Sequence, residues 1–277
     1  MTLPPPPTQL PDCRWLTVDR RGFTLTVTMN RPEARNAMIL GMAQELSAVC
    51  ATVADDPSIG AIVLRGAGKH FSAGGDLKDI FDAIGGAEGA DDPLFRTNRF
   101  FGDLLMQVDA QPQVVIAMVQ GAARGGAFGL ACVADVVIGR SDATFAMPET
   151  GLGLPAAQII PFVARRLGPH MTRRLALTGL PMDAAEAHRL GLLYAVGEDD
   201  AAMDAHLAAV LAAVKERAPG AVAQTKALVA RAGRDATSIL LDDGGRAVAA
   251  SARHGEGAEG LSAFVEKRKP KWTEREG

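Results

Sequence analysis

Cysteine is scarce in this chain of 277 residues: there are three, and no two form a CxxC pair. That leaves neither a dithiol redox centre nor a thiolate zinc site to expect. Aromatic residues make up only 5%, too few to suggest stacking platforms for nucleobases. Net charge is −3 with neutral histidines, so nothing attracts a polyanionic duplex over long range, and no nucleic-acid partner is expected. The five histidines are scattered and none belongs to an HExxH pattern, so no metal site is expected. GxxxxGKS or GxxxxGKT, GxGxxG and GxSxG are all missing. A Walker loop, a dinucleotide-binding turn and that type of hydrolase serine are therefore unsupported. No apolar stretch reads as a secretory signal or a membrane span. With an odd number of cysteines, this predicts a cytoplasmic protein without a membrane partner.

What is present is an apolar share of 48%, ample for a core, with much alanine for close helix packing. Residues 1–14 carry Pro4–Pro7 and read as a disordered arm. Phe23, Leu25, Val27 and Met29 alternate with threonines, which predicts a half-buried strand ended by Asn30-Arg31-Pro32. Asn36 is expected to cap the helix that follows, through Leu40 to Val53. Ile59 to Arg65 predicts a short strand, Asp82 to Pro93 a loop, and Leu94 to Val108 a helix. Val114 to Val119 is a β-branched run that fits a strand buried on both faces. Gly125-Gly126 is expected to open a helix, and Val133 to Gly139 to form another strand. Such strand–turn–helix units imply an α/β layer fold over 15–200. From 158 to 267 only helical segments are legible. Asp183 with Glu186 resembles a capping box, and Gly244-Gly245 interrupts an otherwise helical stretch. Residues 201–277 thus read as a separate helical region.

Two glycine-rich turns follow apolar strands: Phe71-Ser72-Ala73-Gly74-Gly75-Asp76-Leu77, and Gly121-Ala122-Ala123-Arg124-Gly125-Gly126-Ala127. They are ordinary tight turns, or they present backbone N–H groups to a ligand oxygen that gains negative charge. Glu149 follows Pro148 and precedes the apolar Gly151-Leu152-Gly153-Leu154-Pro155. It is either a solvated loop residue or a desolvated carboxylate suited to proton transfer. Arg124 is a surface cation or faces a phosphate or carboxylate. Lys267-Arg268-Lys269 with Lys271, beside Phe264, forms a compact basic patch at the tail.

These pieces, taken in order, resemble the enoyl-CoA hydratase/isomerase, or crotonase, family over about residues 15–272. The similarity is carried by Asn30-Arg31-Pro32 with Asn36-Ala37, Ala61 to Leu64, Phe71 to Leu77, Gly121 to Gly129, Asp135, Phe145 to Glu149, Leu177-Thr178-Gly179 and Glu259 to Arg268. The resemblance implies a spiral of ββα units followed by a C-terminal helical trimerisation region. It also implies a homotrimer or dimer of trimers and an acyl-CoA substrate, with coenzyme A entering as part of the thioester and no separate cofactor. It places the oxyanion donors on the N–H groups of Gly75 and Gly126. Coenzyme A contacts fall at Ala34, Arg35, Ala73 and Asp76, with Phe264 and Lys267 from a neighbouring subunit.

Typical hydratases of the family carry two glutamates. The second matches Glu149, whereas the first falls on Gly129, which can neither take nor give a proton. The segment Glu149 to Phe162 is similar to a subgroup that includes isohexenylglutaconyl-CoA hydratase, whose branched substrates carry a distal carboxylate that Arg124 would meet. The leading expectation is a lyase adding water to a branched or modified 2-enoyl-CoA. A Δ3–Δ2 enoyl-CoA isomerase using one glutamate and a non-catalytic acyl-CoA-binding protein are the alternatives.

Overall fold

A computed structural model describes residues 9–79 and 92–275. Strands β1 (Leu16–Arg21) and β2 (Thr24–Met29) form an antiparallel hairpin around Gly22, whose φ of 53° the turn requires. Strands β3 (Ala61–Gly66), β4 (Val114–Val119), β6 (Val136–Arg140) and β9 (Ala195–Gly197) continue the sheet in parallel, in the order β1-β2-β3-β4-β6-β9. A smaller sheet pairs β5 (Ala122–Arg124), β7 (Thr144–Ala146) and β8 (Met182–Asp183). Helices α1 (Leu40–Val53), α2 (Pro93–Asp109), α3 (Gly126–Val133) and α4 (Ile160–Thr178) lie along the chain between these strands, α4 being broken at Gly168. The middle of the chain thus repeats one unit, a strand in the large sheet, a strand in the small one, then a helix, in β4-β5-α3 and again in β6-β7-α4; after β3 the second strand is reduced to a bridge from Ser72 to Ala123. The spiral of ββα units and the C-terminal helical bundle implied by the resemblance are both present.

The threonines of β2 are half-buried while Leu25, Val27 and Met29 are buried, as the alternation predicts. In β3 and β4 both faces are covered. One face meets the main core with α1 to α4; the other packs Ala61, Val63, Ile116, Met118 and Ile138 under Met203. Met203 belongs to α6 (Asp200–Lys215), which follows α5 (Ala184–Arg189). Helices α7 (Pro219–Arg231), α8 (Thr237–His254) and α9 (Glu256–Val265) complete the chain. Lys226 ties α7 to the sheet: its Nζ lies 2.6 Å from the Asp135 carboxylate, which also accepts the Val115 N–H.

Several expectations need correction. Asn36 does not cap α1, whose N-cap position is Ile39 with no side-chain bond. Instead Asn36, fully buried with φ of 54°, accepts the Arg31 N–H and donates to the Ala67 and His70 carbonyls. The short β8 and β9 break the all-helical reading of 158–267; two or three residues cannot establish a period. Val133 ends α3, and β6 begins at Val136. Asp92 caps α2 through the Leu94 N–H, with Pro93 at its first position; the rest of the expected acidic loop, 82–91, lies outside the described residues. Residues 1–8 of the expected arm do too, while Leu10 and Cys13 pack against the core. Asp183 caps α5 through the Glu186 N–H. Gly244 and Gly245 sit inside a continuous α8, and a side chain on Gly245 would meet nothing within 4 Å. Close packing within the chain therefore does not demand that pair. Among the described residues no helix is long and apolar enough to cross a membrane.

Asn36→Ala should cost about 2–4 kcal/mol, because it orphans two carbonyls and one N–H in the interior. Urea unfolding of the two proteins measures it; a loss below the experimental error would mean that water replaces the carboxamide.

Candidate active site

The loops that follow β3 and β4 are sewn together by their backbones. Phe71 N donates to Gln120 O at 2.8 Å, Ser72 N to Ala122 O at 3.0 Å, and Arg124 N to Ser72 O at 3.1 Å. Gly74 takes φ of 91°, and a Cβ there would stand 2.6 Å from the Arg124 carbonyl oxygen. Only glycine permits both that conformation and that approach. Further bonds fix the first turn against the segment after β2: Ala73 N to Arg35 O, Met38 N to Gly74 O, and Asp76 N to Met38 O. The Gly75 N–H lies between these donors and has no acceptor among the described residues. In the second turn, Gly125 N donates to Ala146 O, and Gly126 begins α3. The Gly126 N–H is likewise without an acceptor, as the first N–H groups of a helix are. Met38 borders both: it pairs with Gly75 through its backbone, and its Cε lies 3.3 Å from where a Gly126 Cβ would be. Two unused donors, one backed by a helix dipole, suit an oxygen that acquires negative charge.

Glu149 opens the short helical turn Glu149–Leu152 after β7. Its Oε1 lies 2.9 Å from the point where Gly125 would carry a Cβ, so the carboxylate stands against the second turn. Oε2 is buried without a hydrogen-bond partner among the described residues. Burial pushes the Glu149 pKa up, only partly opposed by a hydrogen bond from its own backbone. This carboxylate is therefore partly desolvated, which favours its protonated form.

The other walls are hydrocarbon. Phe101 of α2 packs its ring against Gly126, with Cε1 and Cζ each 2.6 Å from the Cβ position. Gly129, one turn further along α3, faces Ile159 and Leu105. None of Phe101, Leu105 or Ile159 was singled out in the sequence; each looked like ordinary core, and only the packing of α2 and the segment before α4 brings them here.

The remaining candidates divide. Ala34, Arg35, Ala73 and Asp76 come together through the Ala73–Arg35 bond. The Asp76 carboxylate is engaged by Arg31 Nη1 at 3.1 Å, which also donates to Ala37 O. Arg124 donates from Nη2 to Thr144 Oγ1 at 3.1 Å, its Nη1 is buried without a partner, and desolvation lowers its pKa. Phe264, 83% exposed, lies in the last turn of α9, which packs on α7 and α8, and Lys267 follows just beyond that helix. Within one chain they are not gathered with the glycine turns. Arg268 is held by Glu259 and Glu266, so the tail patch presents Lys267, Lys269 and Lys271 rather than four free cations. Among the described residues no cluster of three or more His, Cys, Asp or Glu could hold a metal ion.

Residues 21–275 match the enoyl-CoA hydratase/isomerase family. An enoyl-CoA hydratase/isomerase from Marinobacter aquaeolei is 49% identical, with a TM-score of 0.92 over 95% of this chain and 100% of that one. AtuE of Pseudomonas aeruginosa is 47% identical, with a TM-score of 0.90 over 94% and 100%. The probable enoyl-CoA hydratase echA8 of Mycobacterium bovis is 35% identical over 265 residues, 94% of this chain and 98% of that protein.

A carboxyl whose pKa is raised by folding favours the native state most below its ordinary pKa. That contribution is lost as pH rises through the folded value. Glu149→Gln removes the ionisation, so its melting temperature relative to the parent should climb across that window and then level off. A difference independent of pH would show that Glu149 is not desolvated.

Proposed function

Since the chain belongs to the enoyl-CoA hydratase/isomerase family, we propose that it is a hydratase-like lyase that adds water to a branched or modified 2-enoyl-CoA thioester. The observation that carries this is the half-buried Glu149 carboxylate, whose Oε2 has no partner among the described residues, beside a glycine turn whose N–H is unused. Glu149 takes a proton from water as its oxygen bonds to the β-carbon. The electron pair of the double bond moves toward the thioester, and the N–H groups of Gly75 and Gly126 hold the resulting charge on its oxygen. Glu149 then returns the proton to the α-carbon, so H and OH are added across the former double bond.

Coenzyme A would lie along Ala34, Arg35, Ala73 and Asp76, with Phe264 and Lys267 supplied by a neighbouring copy in a trimer or a pair of trimers. In support of assembly, Val229, Leu241, Val248, Leu261 and Val265 are exposed on α7 to α9. Three free cysteines fit a cytoplasmic setting. The distal carboxylate of an isohexenylglutaconyl-type substrate would be met by Arg124, whose Nη1 has no partner. The second reading, a Δ3–Δ2 isomerase, is favoured by the hydrocarbon around Gly129, since one carboxylate suffices to carry a proton between carbons.

Glu149→Gln should fold and lose roughly 10²–10⁴-fold in turnover; undiminished hydration removes Glu149 from the chemistry. In oxygen-labelled water, hydration places the label at the β-carbon, whereas isomerisation exchanges the α-proton and leaves oxygen out. Arg124→Met should raise KM for carboxylated enoyl-CoA esters selectively; an equal effect on all esters rules out carboxylate recognition.

A further inference from the structure

One wall of the site is built by an exchange of sizes between α3 and the segment that precedes α4. A Cβ on Gly129 would stand 2.7 Å from Ile159 Cγ2, 3.1 Å from Leu105 Cδ1 and 3.4 Å from Ile159 Cβ. Any side chain at 129 therefore requires Ile159 to move, and Ile159 is poorly placed to do so. It is 3% exposed, and its carbonyl accepts the N–H groups of Phe162 and Val163 at the start of α4. Its neighbour Gln158 rests Oε1 against Gly102 of α2. Two consecutive side chains are thus seated in two glycine notches, one on each helix.

Gly129 and Gly126 lie three residues apart and share one face of α3. Along that face run Met38, Phe101, Leu105 and Ile159, all apolar, whereas Glu149 stands at Gly125. We propose that Ile159 decides which groups can reach the reaction from α3: by filling the space over Gly129 it keeps a second proton-exchanging side chain from position 129 and leaves that task to Glu149. This deepens the proposed reaction and rests on it. A single ionisation on the acid side should then govern kcat/KM.

The test uses Gly129→Glu, Ile159→Gly and the double variant, each followed by thermal unfolding and by pH profiles with straight and β-methyl enoyl-CoA esters. Gly129→Glu alone should lower Tm. The double variant should recover most of that loss and gain a second ionisation in its profile. A Gly129→Glu protein with parental Tm, or a folded double variant with one ionisation, overturns the proposal. Should the glutamate variants fail to fold, Gly129→Ala decides the packing: it should lower Tm in the parent but not beside Ile159→Ala, and additive losses overturn the proposal. Parental protein inactive on every enoyl-CoA ester, with coupled Tm values, would instead sink the proposed reaction and leave the packing intact.

Discussion

The pairing of two loops, each following a strand of the large sheet, is the constraint on which the candidate site rests. Ser72 exchanges backbone hydrogen bonds with Ala122 and Arg124, and Gly74 meets the Arg124 carbonyl at a distance that excludes a side chain. Because those bonds consume the N–H groups around them, the N–H groups of Gly75 and Gly126 are left over, with Met38 bordering both glycines. Backbone donors held in this way need no reorganisation when charge develops, which is where most of the benefit of such a site arises. Asn36 and His70 brace the arrangement: the carboxamide ties 31, 67 and 70 together, and the His70 Nδ1 accepts the Ala122 N–H.

The same environment that strengthens those donors penalises a buried carboxylate. Among the described residues Glu149 has no cation or hydroxyl to offset its desolvation, and its Oε2 has no partner. A carboxylate left without an ion pair in such surroundings has its pKa pushed up by desolvation. Phe101, Leu105 and Ile159 pack apolar side chains against Gly126 and Gly129 of α3.

Much of the scaffold was legible in the chain because it depends on local periodicity. The alternation of β2, the continuous apolar run of β4, the helix 40–53 and the cap at Asp183 each follow from spacing within a few residues. The failures have the same root. Asn36 sits where a cap belongs, yet its fate depends on Ala67 and His70, some thirty residues away. β8 and β9 are too short to announce themselves, and Arg268 in the basic tail is neutralised by Glu259 from the preceding helix.

The sequence by itself determined the family resemblance, the alternation of strands and helices, the two glycine turns and the presence of a carboxylate after Pro148, since all of these are local patterns of residue type. Tertiary structure alone decided which groups are left without partners. It seats Ile159 on Gly129, turns Arg124 toward Thr144, engages Asp76 with Arg31 and removes water from Glu149. The physical reason is that hydrogen-bond satisfaction and desolvation are properties of a neighbourhood, and a neighbourhood is assembled from segments that lie far apart along the chain.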